Sequence, residues 1–268
     1  MPDLMSLIGV SFSTLMALMA VSFCAAIVDA IAGGGGLLNV PSLMIAGLDP
    51  VSAVATNKVQ GSFGVASSTL AYARAGLIRF REMAFLFLCS FVGAGAGAVA
   101  AQTLPIGALR TWIPLVLIGL ALFVATAPKL TDADSHARLR PAVFAFLFAA
   151  PIGFYDGMFG PAGGTFFFIA LVTMLGQGVL KAVAHTKLLN LASNLGALCL
   201  FLFSGKIYWA VGLCLGVAAF AGAQIGARAA LSRGARLVKP MVVAVAVLMA
   251  IRLLLDPAHP VGQWLRGG

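Results

Sequence analysis

Charge is what this sequence has least of. Only 9% of its 268 residues are charged, 17 basic and 8 acidic, while 61% are hydrophobic. Soluble domains carry about 25% charged residues. A soluble core cannot hide this much apolar surface, so a water-soluble fold is excluded. The four cysteines, Cys24, Cys89, Cys199 and Cys214, all lie inside apolar runs. None forms a Cys-x-x-Cys pair or meets histidines at zinc spacing. They read as small hydrophobes, and neither metal nor cofactor is expected. No nucleophile–base pair stands at usable spacing, so an enzyme is not expected either. No basic residue precedes the first apolar run, where Asp3 alone is charged. A cleavable signal needs such a basic region and an apolar stretch of roughly 7–15 residues. The run Leu4 to Ala32 is longer and reads as a retained helix. The net charge of +9 comes without a basic stripe of interleaved aromatics, which argues against nucleic acid as a partner.

What is present is a series of long apolar runs. In hydrocarbon only helices or closed barrels satisfy the backbone. Barrel strands alternate polar and apolar over about ten residues, and these runs do not. The expected fold is all-α, a polytopic transmembrane bundle in a lipid bilayer. A span needs about 20 apolar residues. Leu4–Ala32, Val51–Ala73, Met83–Leu104, Thr111–Pro128, Pro141–Phe159, Val179–Phe203, Ile207–Leu231 and a last run ending at Leu255 qualify. Leu37–Leu48 and Thr165–Leu175 are too short. The polar connector 129–140 divides the chain into repeats at 1–128 and 141–268.

The halves match at an offset of 129. Over residues 51 to 101, 14 positions are identical, but nine of these are Ala or Gly, which a biased composition inflates. The order of features is harder to attribute to chance. Each half has an acid, a glycine break, a short segment and a lysine, and duplicated broken helices mark secondary transporters. Loop charge supports inversion. The 74–82 loop has three basic residues and the 104–110 turn has one, whereas the second half reverses this bias. If the short segments cross, there are about ten segments, the repeats are inverted and both termini lie outside. If they are re-entrant, about eight crossings remain and the repeats are parallel. Both readings stay open at this point.

Two stretches organise the chain. Asp29 precedes Gly33, Gly34, Gly35 and Gly36. Asp156 precedes Gly160, Pro161, Ala162, Gly163 and Gly164. Each glycine costs a helix interior about 1 kcal/mol relative to Ala, so both stretches should unwind. The short helix after each break then offers unpaired N–H groups and a positive dipole end to an anion. The plain alternative is a tight turn. Asp29 and Asp156 serve either as proton-coupling groups or as caps of the exposed amides. Lys58 and Lys187 lie about eight residues into their spans, where they either meet an anion or snorkel. Asn57, His185 and Thr186 surround them. Asn190 and Asn194 share a helical face with Lys187, whereas Gln60 lies too near Lys58 in sequence to share its face. These amides line a wet path or glue helices together. Small-xxx-small pairs such as Gly93/Gly97 and Gly222/Gly226 read as helix packing.

The run from Asp29 through Gly33–Gly36, Leu37-Leu38-Asn39-Val40-Pro41, Gly47 and Pro50 to Ala53-Val54-Ala55-Thr56-Asn57-Lys58 resembles the TauE/SafE sulfite-exporter family. The second half resembles it at Gly176-Gln177-Gly178, Ala182-Val183-Ala184 and His185-Thr186-Lys187. The likeness runs from about residue 10 to 255. It implies a multi-pass transporter of the bacterial inner membrane for sulfite, sulfonates or related organic anions. Pro161-Ala162 departs from the simpler first motif. The leading reading is therefore a secondary transporter of a small anion, working by alternating access, with protons as a candidate coupling ion. An anion channel and a structural membrane subunit are the alternatives. Substrate, direction and any homo-oligomer stay open.

Overall fold

A computed structural model describes residues 11–103, 133–234, 236–242 and 244. Eight helices carry the architecture, and no strand occurs among the described residues. They are α1 (Phe12–Ala32), α2 (Gly36–Ile45), α3 (Pro50–Arg74), α4 (Phe80–Thr103), α5 (Pro141–Met158), α6 (Gly163–Leu175), α7 (Val179–Phe201) and α8 (Trp209–Arg233). Asp49 caps α3 by accepting from the amides of Val51 and Ser52, with Pro50 in the first turn. Inside α5, Ala145–Ala149 widen into a π-turn just before Pro151, which has no N–H to give. The expected span Thr111–Pro128 and most of the last one lie outside the described residues.

Six helices are long enough to cross a hydrocarbon layer of about 30 Å. Helices α2 and α6, with 10 and 13 residues, are not. Both fold back on the helix before them. Leu43 and Leu48 at the far end of α2 pack with Leu15 and Leu18 near the start of α1. Likewise, the end of α6 meets the start of α5, where the amides of Ser135 and Arg138 donate to Gly176 O and Met174 O.

Close glycine contacts fix the helix directions. Gly222 and Gly226 of α8 abut Phe23 and Ile27 of α1, so these helices run together. Gly93 and Gly97 of α4 abut Ala150 and Phe154 of α5 in the same sense. Gly212 and Gly216 of α8 meet Val59 and Phe63 of α3, again in parallel. Ser90 Oγ of α4 donates to Leu189 O, and Gly95 faces Leu200, which aligns α4 with α7. By contrast, α3 and α7 are antiparallel. Gly61 faces Asn194, and the backbone N–H of Arg79, just past the end of α3, donates to His185 near the start of α7. Each long helix of the first half therefore opposes its counterpart in the second.

The packing exchanges partners between halves. Helix α8 joins α1, α2 and α3 in one unit, while α4 joins α5, α6 and α7 in another; α3 against α7 is the main contact between them. Exposed apolar side chains such as Phe146, Leu147, Val217 and Ile225 cover the outside, as a lipid-facing surface requires. Arg74, Arg79, Arg81, Arg138, Arg140, Lys181 and Arg233 all gather at one end of the bundle. Lys206 sits at the other.

Candidate functional site

The two helix breaks meet in the middle of the bundle. A Cβ on Gly33 would lie 2.6 Å from the Thr165 amide nitrogen, and one on Gly164 would lie 3.2 Å from the Gly33 Cα. Gly36 faces the backbone of Gly160 and Pro161 at 3.2 Å. Only glycine allows two backbones this close. The breaks differ in detail. Gly33 and Gly34 take positive φ in the first, whereas Gly160 and Ala162 do so in the second. Ala162, at φ +69°, is the one non-glycine residue with positive φ among the described residues. A side chain held there is a local strain of the kind found at functional sites.

Beside the breaks lies a cavity of about 40 Å³, room for more than one water by the ~10–15 Å³ each requires. Asp29, Gly34, Gly35 and Gly36 line it from the first break, with Asn39 from α2. Asp156, Gly160, Gly163 and Gly164 line it from the second. Helix α3 contributes Asn57, Gln60, Gly61 and Gly64, a stripe at three- and four-residue spacing. Helix α7 contributes Asn190 and Asn194. The Oδ1 atoms of Asn39 and Asn57 are buried and have no protein partner. A buried amide oxygen in that state calls for a donor from the cavity's contents.

Both lysines are fully buried, so neither snorkels. Each is bound to the acid of the other half. Lys58 Nζ donates to Asp156 Oδ2 at 2.7 Å, and Lys187 Nζ donates to Asp29 Oδ2 at 2.9 Å. Lys187 also donates to the Asp29 backbone carbonyl. The Gly35 amide donates to Asp29 Oδ1 at 3.0 Å, which is the geometry of a cap across the break. Ser193 Oγ donates to Asp156 Oδ2 at 2.6 Å. The four charges cancel. In a low-dielectric interior such a pair is favoured by added hydrogen bonds, and here Ser193, the Gly35 amide and the Asp29 carbonyl supply them.

Several expected site residues lie elsewhere. Gly33 is at the backbone contact rather than on the cavity wall, and Lys58 and Lys187 stand behind their carboxylates. His185 and Thr186 do not line the cavity. His185 bonds instead to the Gln177 side chain and the Arg79 amide, towards the basic end. By its spacing Gln60 does not share the Lys58 face. It is off that face and on the cavity wall. Asn39, Ser193 and Gly64 were not singled out. An asparagine in an otherwise apolar short helix was a usable signal for Asn39. Serines in membrane helices commonly bond their own backbone, as Ser193 also does to Asn190 O, so Ser193 carried no distinct signal.

No group of three or more His, Cys, Asp or Glu side chains could hold a metal among the described residues. What the geometry offers is a small polar cavity at the meeting of two broken helices, walled by amides and neutralised ion pairs. Such a site inside a multi-pass helical bundle defines a class, the membrane transporters. The comparisons name the family. The profile described as "Sulfite exporter TauE/SafE" matches residues 18–253. The chain is 46% identical over 255 residues to "Probable membrane transporter protein ORF9" of a Sinorhizobium species, covering 95% of this chain and 98% of that one. It is 41% identical over 261 residues to "Probable membrane transporter protein YfcA" of Escherichia coli K12, covering 97% of both. A "Probable membrane transporter protein" of Haemophilus influenzae is 35% identical over 247 residues, with 92% and 97% covered. No solved structure matches. The chain belongs to the TauE/SafE family of multi-pass inner-membrane transporters.

Proposed function

We propose that this protein is a secondary transporter that carries a small oxyanion, sulfite or a small sulfonate, by alternating access through the cavity between its two breaks. The observation that carries the reading is the convergence of two helix N-termini on one cavity that also holds two ion pairs. The N-termini supply N–H donors and positive dipole ends. The amides of Asn57, Gln60, Asn190 and Asn194 add neutral donors that suit the oxygens of a compact anion. The family's own description concerns sulfite, and its profile spans residues 18–253, which include both breaks.

The two repeats, 1–128 and 141–268, are inverted in this account. The opposed directions of equivalent helices support that arrangement: α1 and α3 both run parallel to α8, and α5 and α7 both run parallel to α4, so the stretches holding the short α2 and α6 carry the chain back between them. The basic end faces the cytoplasm by the positive-inside rule. Protons are the coupling ion, because an anion entering a neutral site needs a compensating positive charge.

The test is flux in proteoliposomes holding the purified protein. Labelled sulfite and methanesulfonate should enter faster than into protein-free vesicles, and a matched cation such as choline should not. Equal leak with and without protein, for both anions, sinks the proposal.

A further inference from the structure

The two ion pairs are related by the repeat, yet they are not alike. Asp156 is buried, with 4% of its side chain exposed, and its Oδ2 accepts from both Lys58 and Ser193. Asp29 keeps 17% of its side chain exposed, onto the cavity. Its Oδ2 accepts from Lys187 alone, while Oδ1 holds the Gly35 amide. The difference has a sequence cause. At the repeat offset of 129, the counterpart of Ser193 is Gly64. Gly64 brings no hydroxyl to Asp29, and a Cβ there would meet Ala219 of α8 at 3.3 Å. Both acids line the cavity, but one is clamped by a second donor, and the other is the more exposed and has no hydroxyl on it.

We infer that Asp29–Lys187 is the exchangeable pair, in which a proton on Asp29 frees Lys187 to bind the anion, while Asp156–Lys58–Ser193 is a fixed anchor. This rests on the transport reading above. The balance is simple. A proton from solution bonds to Asp29 Oδ2, and the Lys187–carboxylate contact opens. Lys187 keeps all its protons and turns one N–H to an oxygen of the incoming anion. Asp29 Oδ1 keeps the Gly35 amide, and the Asp29 backbone carbonyl keeps its hold on Lys187. The site is neutral before and after, so one proton travels with one monovalent anion.

The charged surroundings fit this assignment. Tyr72 of α3 donates its hydroxyl to Ala30 O beside Asp29. Asp156 and Lys58 cancel each other across the cavity. Helices α2 and α6 bring no titratable group, and on α8, packed against α1, Arg228 and Arg233 are exposed at the surface. Lys187 is thus the cation that sets the balance at Asp29. By linkage, anion affinity rises as pH falls, because binding takes up a proton.

The experiment uses purified full-length protein in detergent and methanesulfonate, which stays ionised across the pH range, so any pH dependence belongs to the protein. Binding is followed by calorimetry, and proton uptake by an indicator in weak buffer. Wild type should take up about one proton per anion bound, with affinity falling about tenfold per pH unit above the midpoint. Asp29→Asn should bind with no proton uptake and no pH dependence. Asp29→Glu should restore uptake with a shifted midpoint, which keeps the test decisive if the asparagine variant fails to fold. Anion binding without proton uptake by wild type overturns this inference and proton coupling with it, an unmoved midpoint in Asp29→Glu overturns this inference alone, and both leave anion transport through the cavity standing. Absence of any binding or liposome flux for either anion overturns the transport reading itself.

Discussion

Lys58 Nζ lies 2.7 Å from Asp156 Oδ2, across the boundary between the halves and 98 residues along the chain. The reciprocal contact, Lys187 to Asp29, spans 158 residues. Each half thus supplies an acid to one pair and a base to the other. Because Lys58 belongs to the unit of α1, α2, α3 and α8, and Asp156 to the other unit, both pairs bridge the two packing units at the cavity wall. A rocking motion of one unit against the other has to act on these contacts.

Breaking one anchor partner should therefore be worse than removing both. Lys58→Met leaves a buried carboxylate unpaired, a change that costs about 3–5 kcal/mol where it has been measured. Lys58→Met with Asp156→Asn removes both charges and should recover most of the loss. Thermal unfolding in detergent reads the difference. Equal losses in the single and double variants contradict a direct ion pair.

The contact between breaks predicts a second contrast. Gly33→Ala puts a Cβ 2.6 Å from the Thr165 amide nitrogen at φ +81°. Gly47→Ala, at φ +102°, has nothing within 4 Å and meets backbone strain alone. That strain is about 1–2 kcal/mol. Thermal stability should fall clearly further for Gly33→Ala, and similar losses at the two sites argue against close packing of the breaks.

Much of this was legible in the sequence. Apolar run length gave the long helices, and the glycine clusters gave the breaks, because few other residues allow backbones to touch. The opposite charge bias of equivalent loops fits the observed gathering of Arg74–Arg81 and Arg233 at one end. The pairing was not legible. Nothing in the local sequence of Lys58 says that its partner lies on α5 rather than α1, since that follows from the exchange of helices between halves. His185 looked like a neighbour of Lys187, but two residues along a helix is about 200° around it. The side chain faces Gln177 and Arg79 instead.

Cross-linking tests the packing units. In a background without the native cysteines, residues 61 and 194 bridge α3 and α7 between the units. Residues 59 and 212 bridge α3 and α8 within one. Both residues line the cavity, so the reduced 61–194 variant is the reference: oxidation should abolish whatever sulfite flux it retains, and reductant should return flux to that level. The 59–212 pair should leave flux standing when oxidised. Undiminished flux through a fully cross-linked 61–194 pair contradicts relative motion of the units.

At the basic end, Asp134 accepts the Gly178 amide at 2.8 Å and the Lys181 ammonium at 2.6 Å, and these contacts hold its carboxyl below the ordinary value of 3.8. The depressed value means the carboxylate form stabilises the fold. Its contribution is complete above the unfolded value and is lost as pH falls below it. The protection of the amides of residues 133–139 against exchange, after the intrinsic rate's own pH dependence is divided out, should therefore fall from pH 5 to pH 3 more in wild type than in Asp134→Asn. An identical change in both excludes Asp134 as the cause.

The most direct test of the account is counterflow. Proteoliposomes loaded with unlabelled sulfite, voltage-clamped with potassium and valinomycin, are diluted into labelled sulfite. A carrier that exposes its cavity to one side at a time accumulates label transiently above equilibrium, because internal substrate returns the empty site. The account predicts that overshoot. Label that only rises to equilibrium, at a rate indifferent to internal sulfite, is the behaviour of an open pore and contradicts alternating access.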